Sequence, residues 1–243
     1  MAINRLGPDG TRVVPVSSRD SDLVEAACGL FADVFPDDRR YLPYLRACTH
    51  GRHPSHPRTL DHVWLIQRGD EWVGVAIFSH IITRSFGHGA YVGIAPHAQG
   101  RGLGKWILAE MLEQLDEDAR QFGLPGSIGY LGEVERPMDA ETEEERILSE
   151  RRLRFHRQCG GVVLPVPFIE PVMIESVDYV TPRELEGESP RPMHLVLVPT
   201  ERGARIQNLD LVDFIHGIYL DVYRLPPDHE FVRRALSYLL EMR

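Results

Sequence analysis

Apolar residues along this chain recur with two periods, and the order in which those periods alternate sets the element plan. Thr11–Ser17 alternates as a strand does. Leu23, Ala27, Leu30 and Phe31 then recur at helical spacing, with Asp20 or Ser21 as cap and Pro36 as stop. A second short helix is expected around Arg39–Cys48, followed by a polar loop rich in His and Pro over Thr49–Arg58. His62–Gln67 and Trp72–Ser79 read as strands joined at Arg68-Gly69-Asp70-Glu71 by a short hairpin turn. Ala90–Ile94 is a further strand, and a glycine-rich turn follows it. Leu103, Ile107, Leu108, Met111 and Leu115 share one face of a helix that Phe122-Gly123-Leu124-Pro125-Gly126 stops.

Ser127–Glu135 is the next strand. The acidic stretch Asp139–Glu145 opens a helix that turns basic by Arg151–Arg157 and ends at Gly160-Gly161. Acid first and base last matches the helix dipole, so that pattern requires no ligand. Val162–Leu164 and His194–Val198 give the last strands, separated by the proline-punctuated segment Pro165–Pro192. Leu211, Ile215, Ile218 and Val222 line one face of a helix, and a closing helix has Asp228 as its cap. The alternation predicts an α/β or α+β chain with one core. Its expected division is 1–204 for the main domain and 205–243 for a helical appendix packed on it.

Composition narrows the function classes. With 27 basic against 36 acidic side chains, a net charge of −9 does not suit nucleic acid and favours a cationic ligand. Cys28, Cys48 and Cys159 are too few and too scattered for a disulfide framework or a zinc site, which points to reducing cytoplasm. No apolar run reaches membrane-spanning length, and Met1–Pro8 lacks the apolar core of a secretory signal, so neither membrane nor export is expected. His50, His53, His56 and His62 lack a helical ligand register, and no metal is expected. Trp64, Trp72 and Trp106 read as packing residues.

The candidate chemistry centres on Gln99-Gly100-Arg101-Gly102-Leu103-Gly104-Lys105, between a strand and a helix. Glycines let backbone amides approach a ligand, and the helix dipole favours an anion, so the turn suits phosphate. A P-loop would need a glycine where Gln99 stands and a hydroxyl residue where Trp106 stands. A dinucleotide fingerprint would need G-x-G-x-x-G after a first strand, whereas this turn is G-x-G-x-G in mid-chain.

Gln99, Gly102 and Gly104, together with the strand Tyr91-Val92-Gly93-Ile94-Ala95-Pro96, resemble the coenzyme A signature of the GNAT (GCN5-related N-acetyltransferase) superfamily. The resemblance runs from Thr11 to about Val198. It implies a mixed, mostly antiparallel sheet flanked by helices, with acetyl-CoA as cosubstrate. It further implies that amides from Gln99 through Gly100, Arg101, Gly102, Leu103 and Gly104 to Lys105 hold the pyrophosphate. The Gly93–Ile94 backbone would pair with the pantetheine arm in a splay between the fourth and fifth strands, and an amide near Ile94 would serve the oxyanion.

Acyl transfer to an amine also needs a base and benefits from an acid. By resemblance to the Leu-Glu-Val strand of ribosomal-protein alanine N-acetyltransferases, Glu133 in Leu131-Gly132-Glu133-Val134-Glu135 is the candidate base, with Glu135 in reserve. The alternative is a surface carboxylate on a half-exposed strand. The family's Phe-Tyr-x-x-x-Gly-Phe is here Phe155-His156-Arg157-Gln158-Cys159-Gly160-Gly161. His156 is therefore the candidate acid; otherwise another residue, or none, has that role. Met138–Leu148 lengthens the connection before this helix. Arg151, Arg152 and Arg154 suit either a coenzyme phosphate or a helix C-terminus.

The expected function is transfer of acetyl from acetyl-CoA to a primary amine, on a small molecule or a protein, by direct attack in a ternary complex. A catalytically silent CoA-binding sensor is the alternative, and a hydroxyl or thiol acceptor is a more distant one. Selectivity is expected in Thr49–Arg58, Glu170–Pro192 and the appendix, whose Phe214, Ile215, Tyr219 and Tyr223 would alternatively form a homodimer surface.

Overall fold

The computed structural model describes residues 6–52, 57–174, 183–184, 189–206 and 208–241. The elements run β1 (Arg12–Val16), α1 (Ser21–Val34), a 3₁₀ turn (Pro36–Tyr41), α2 (Leu42–Cys48), β2 (Thr59–Arg68), β3 (Glu71–Ile81), β4 (Phe86–Ile94), α3 (Leu103–Gln121), β5 (Gly129–Glu135) and α4 (Glu143–Gln158). After them come β6 (Val162–Val163), β7 (Ile169–Glu170), β8 (Met173–Ile174), β9 (Arg183–Glu184), β10 (Arg191–Pro199), α5 (Leu211–His216), a π-helical turn (Gly217–Val222) and α6 (Glu230–Glu241).

Local chemistry sets the helix starts. The Asp20 carboxylate accepts the amide of Leu23 at 3.2 Å and begins α1. Thr142 and Glu145 form a reciprocal capping box at the start of α4, worth about 1 kcal/mol. At α6 the cap is not Asp228. His229 lies next to the first helical residue, its Nδ1 accepts the Phe231 amide at 3.3 Å and its carbonyl accepts the Arg233 amide. The short helix expected over Arg39–Cys48 is divided, because Pro36 and Pro43 each open a separate helical turn.

The main sheet has the order β1-β2-β3-β4-β5-β10-β6, with β7 also paired to β10. Every pairing in it is antiparallel except β4 with β5. On one face α3 and α4 cover Trp64, Phe78, Tyr130 and Val134, packing Ile107, Met111, Leu115 and Leu153 against them. On the other face α1 and α2 pack Phe31 and Leu45 on Leu65, Val75 and Ile77. Beside them, α5, the π turn and α6 pack Phe214, Ile215, Ile218 and Tyr219 on Ile81, Phe86, Leu131 and Leu197. Ile77 and Ile81 are four residues apart on β3, so these two helical layers share a sheet face.

Phe214, Ile215 and Tyr219 are at most 1% exposed, so the core accounts for the apolar side chains read above as a dimer surface. Among the described residues, no helix is long and apolar enough to cross a membrane.

The parallel pairing of β4 and β5 runs only from Phe86↔Gly129 to Gly89↔Gly132. Beyond it β4 stays with β3 as far as Gly74↔Ile94, and β5 stays with β10 as far as Met193↔Glu135. Ala90 is the extra residue of a bulge, since Ile77 faces Tyr91 while Phe78 faces Gly89. A bulge bends its strand. The gap between β4 and β5 opens at that bend.

Candidate active site

On the α3 side of the gap, the turn before α3 carries Gly100 at φ 84° and Gly102 at φ 79°. Both need glycine for that conformation, and a Cβ on either would meet nothing within 4 Å. The turn is thus bent and open at once. The first helical bond of α3 runs from the Trp106 amide to the Gly102 carbonyl at 3.1 Å, which leaves the amides of Leu103, Gly104 and Lys105 without intrahelical partners. The helix dipole adds to their pull on an anion.

The residues named from the sequence divide by role here. The Gln99 amide is bound to the Pro96 carbonyl at 3.3 Å and is not free for a phosphate. Gln99 instead braces the turn, its side chain donating to the Ile94 carbonyl at 2.9 Å and accepting from Arg151 at 3.3 Å. The Arg101 guanidinium reaches Asp9 at 3.0 Å, Leu103 is buried in the core, and Lys105 is exposed. Gly104 packs against Ile94 and Phe155.

On β4 the Ala95 amide donates to the Val73 carbonyl at 3.0 Å. By strand alternation the Gly93 amide also faces β3, and the Ile94 amide faces the gap. Gly93 is small for another reason, because a Cβ there would come within 2.5 Å of Val34 and 2.6 Å of Phe35.

The opposite face of the gap carries a chamber. The Glu133 side chain is only 9% exposed and both its oxygens are held. His88 Nε2 lies 3.1 Å from Oε1, and the Tyr223 hydroxyl donates to Oε2 at 2.7 Å. Burial, then the charges of Glu133 and Glu170, pushes the Tyr223 phenol well above its ordinary pKa, so it remains a donor. Burial likewise raises Tyr91 and Tyr41, with Glu170 among the charges acting on both. Glu170 itself is pushed up to about 7 by burial and by the charge of Glu133, against the pull of Arg191. Arg191 Nη2 stands 2.7 Å from Glu170 Oε2, and among the described residues Oε1 of Glu170 has no hydrogen-bond partner. Carboxylates and phenols are thus gathered near one another on this side, and their combined charge favours a cation.

Glu135 is in an ion pair with Arg152 of α4. Within α4, Arg146 bridges Glu143 and Glu150.

His156 lies on the α3/α4 face. Its Nδ1 is 2.9 Å from the Arg152 carbonyl and must donate to it, so Nε2 is the acceptor toward the Tyr130 hydroxyl at 3.4 Å. Burial lowers the pKa of His156, so the ring is neutral at neutral pH. The proton between these two rings therefore belongs to Tyr130. Glu133 and Tyr130 are an odd number of residues apart on β5, so Glu133 and the Tyr130–His156 pair lie on opposite sheet faces.

His88, Tyr91, Tyr223, Glu170, Arg191 and Tyr130 were not singled out as site residues by sequence reasoning. They come from β4, β5, β7, β10 and the end of the π turn, and only β4/β5 pairing brings His88 beside Glu133. A tyrosine and a histidine on glycine-rich strands were the only local signals. Of the four loop histidines, His62 pairs with Asp118 at 2.8 Å, and His53 and His56 lie outside the described residues. Among the described residues, no cluster of three or more His, Cys, Asp or Glu is placed to hold a metal.

No curated protein matches the chain. Among solved structures, a GNAT-family acetyltransferase from Bacteroides thetaiotaomicron is similar at a TM-score of 0.60 and 20% identity, covering 88% of this chain and 99% of that one. NAA60 of Arabidopsis thaliana, solved with acetyl-CoA, is similar at 0.46 and 12%, covering 76% and 98%. A Bacillus subtilis acetyltransferase solved with CoA is similar at 0.43 and 12%, covering 78% and 99%. At such identities the first of these speaks for the fold alone. The model of the acetyltransferase (GNAT) family matches residues 24–141, from α1 through β5, and that segment is the part of the chain it identifies.

Proposed function

We propose that this chain is an acyl-CoA-dependent N-acyltransferase that moves an acetyl group from acetyl-CoA to a primary amine by direct attack in a ternary complex. The observation that carries the reading is the gap between β4 and β5, with unpaired α3 amides on one side and the carboxylate and tyrosine chamber on the other. Such an arrangement lets an anionic donor and a cationic acceptor approach one point from opposite faces.

The amides of Leu103, Gly104 and Lys105 would bind the coenzyme pyrophosphate, with Gly100 and Gly102 leaving them room. The Ile94 amide, facing the gap, would pair with the pantetheine arm or receive the oxyanion. Acetyl-CoA supplies the activated acyl group. Glu133 would draw in the ammonium and take its proton, and the amine nitrogen then attacks the thioester carbon. The C–S bond breaks as the tetrahedral centre collapses, and the thiolate regains a proton from the Tyr130–His156 pair, whose mobile proton lies on the phenol. One further proton leaves to solvent, which balances ammonium and thioester against amide and thiol. The C-terminal helices, 205–243, are proposed to belong to the same unit, since their apolar face completes the core under β5 and β10.

Incubating the protein with acetyl-CoA and matched panels of amines and alcohols, with products read by mass, tests the reading. An N-acetyl product is expected. Acetylated alcohols without acetylated amines would overturn the acceptor class, and coenzyme binding with no product from either panel would favour a sensor.

A further inference from the structure

Tyr223 lies ninety positions beyond Glu133 in the chain, after the family-matched segment and after the last strand. Its hydroxyl nevertheless makes the shorter of the two hydrogen bonds on the Glu133 carboxylate. The local fold explains how it gets there. Leu211, Ile215 and Ile218 begin as an α-helical face, but the chain widens into the π turn at Gly217–Val222, and the Tyr223 amide bonds back five residues to the Ile218 carbonyl. The wider turn shifts the register, so that Asp221 is buried and Tyr223 packs beside Val222 against the same core. Single π turns inside helices are frequent at functional sites.

Two tethers hold this turn in place. The Asp221 carboxylate, 4% exposed, takes Arg58 at 2.9 Å and Arg84 at 2.5 Å, and Arg84 also pairs with Asp213. One turn earlier, the Tyr219 hydroxyl donates to the Ile169 carbonyl at 3.0 Å and accepts the Ile169 amide at 2.9 Å. Ile169 precedes Glu170, so the same turn that reaches Glu133 also fixes the backbone beside the second carboxylate of the chamber.

We propose that Tyr223 is a positioning residue of the acyl-transfer site: the π turn, clamped by Arg58 and Arg84 on Asp221, delivers its hydroxyl to hold the Glu133 carboxylate where the acceptor amine must meet it. The inference rests on the amine acyltransferase reading. With His88 on one oxygen and Tyr223 on the other, the Glu133 carboxylate is held from both sides. A carboxylate held on one side only would swing by ångströms, and misplacement of that size costs about 10- to 100-fold in rate.

A double-mutant cycle on the full chain tests this, reading kcat for an accepted amine, the KM for acetyl-CoA and the melting temperature. Tyr223→Phe is expected to lower kcat about 10- to 100-fold in the wild-type background, with acetyl-CoA KM unchanged, and to lower it less than twofold in the Glu133→Gln background. Tyr223→Met, which keeps bulk without a hydroxyl, is expected to repeat that result if the phenylalanine variant folds poorly. An equal loss in both backgrounds, or a loss confined to KM, would show a structural role and overturn the inference. No loss in either background would overturn it too. A wild type that acetylates no amine would instead overturn the function reading, and the inference with it.

Discussion

One end of the β4/β5 gap is made by consecutive residues, Gln99–Lys105, while the other is assembled from six separate segments. Those segments are the 3₁₀ turn with Tyr41, β4 with His88 and Tyr91, β5 with Glu133, β7 with Glu170, β10 with Arg191, and the end of the π turn with Tyr223. Backbone amides at a helix start recognise phosphate in the same way whatever side chains surround them. On the proposed function, the chamber recognises an acceptor by its side chains, and those are free to come from anywhere in the chain. The comparison teaches that in this molecule the proposed donor end is a local motif and the proposed acceptor end is a tertiary product.

If that division holds, the two ends respond separately. Glu133→Gln should lower kcat by roughly 10² to 10⁴, the range for losing a general base, and leave the acetyl-CoA dissociation constant within about twofold. A parallel loss of coenzyme affinity would mean the ends are not separable.

Gly89→Ala probes the rung that divides them. A Cβ there would lie 1.7 Å from Tyr130 Cε2, so the ring must move, and overpacking of this kind costs about 1–3 kcal/mol by denaturant titration. A cost below about 0.5 kcal/mol would show that Tyr130 is not confined against β4.

Glu170→Gln probes the chamber alone, through pH. The folded pKa of Glu170 is about 7 against an ordinary 4.5, so the fold favours the protonated form. Wild-type stability should therefore fall relative to the glutamine variant as pH rises from 4.5 toward 7 and stay level above it, by on the order of 1–3 kcal/mol. A stability difference independent of pH between 4.5 and 8 would contradict the burial argument.

The same division explains what the sequence made legible. The donor turn, α1 with its Asp20 cap, the β2–β3 hairpin and the amphipathic α3 all announce themselves over short windows, and the structure has them at or within a few residues of the expected places. Strand β4 was legible only from Ala90 because Gly87 and Gly89 suppress the strand pattern. Their cause is tertiary, since Gly89 makes room for a ring from β5. The α5 pattern carried no local sign of a π turn, and so no sign that Tyr223 reaches Glu133. Gln99 was read as an amide donor from its place in the motif, but the preceding Pro96 turn had already taken that amide.

The central claim is that the open amides before α3 hold the coenzyme independently of the chamber across the gap. Calorimetric titration of acetyl-CoA into the wild type, Gly102→Glu and Glu133→Gln tests it most directly. Gly102→Glu puts a carboxylate and a strained left-handed residue where the pyrophosphate should sit. Binding is expected in the wild type and in Glu133→Gln, and a loss of about 100-fold or more in Gly102→Glu. No binding by the wild type, or equal binding by Gly102→Glu, would contradict the account.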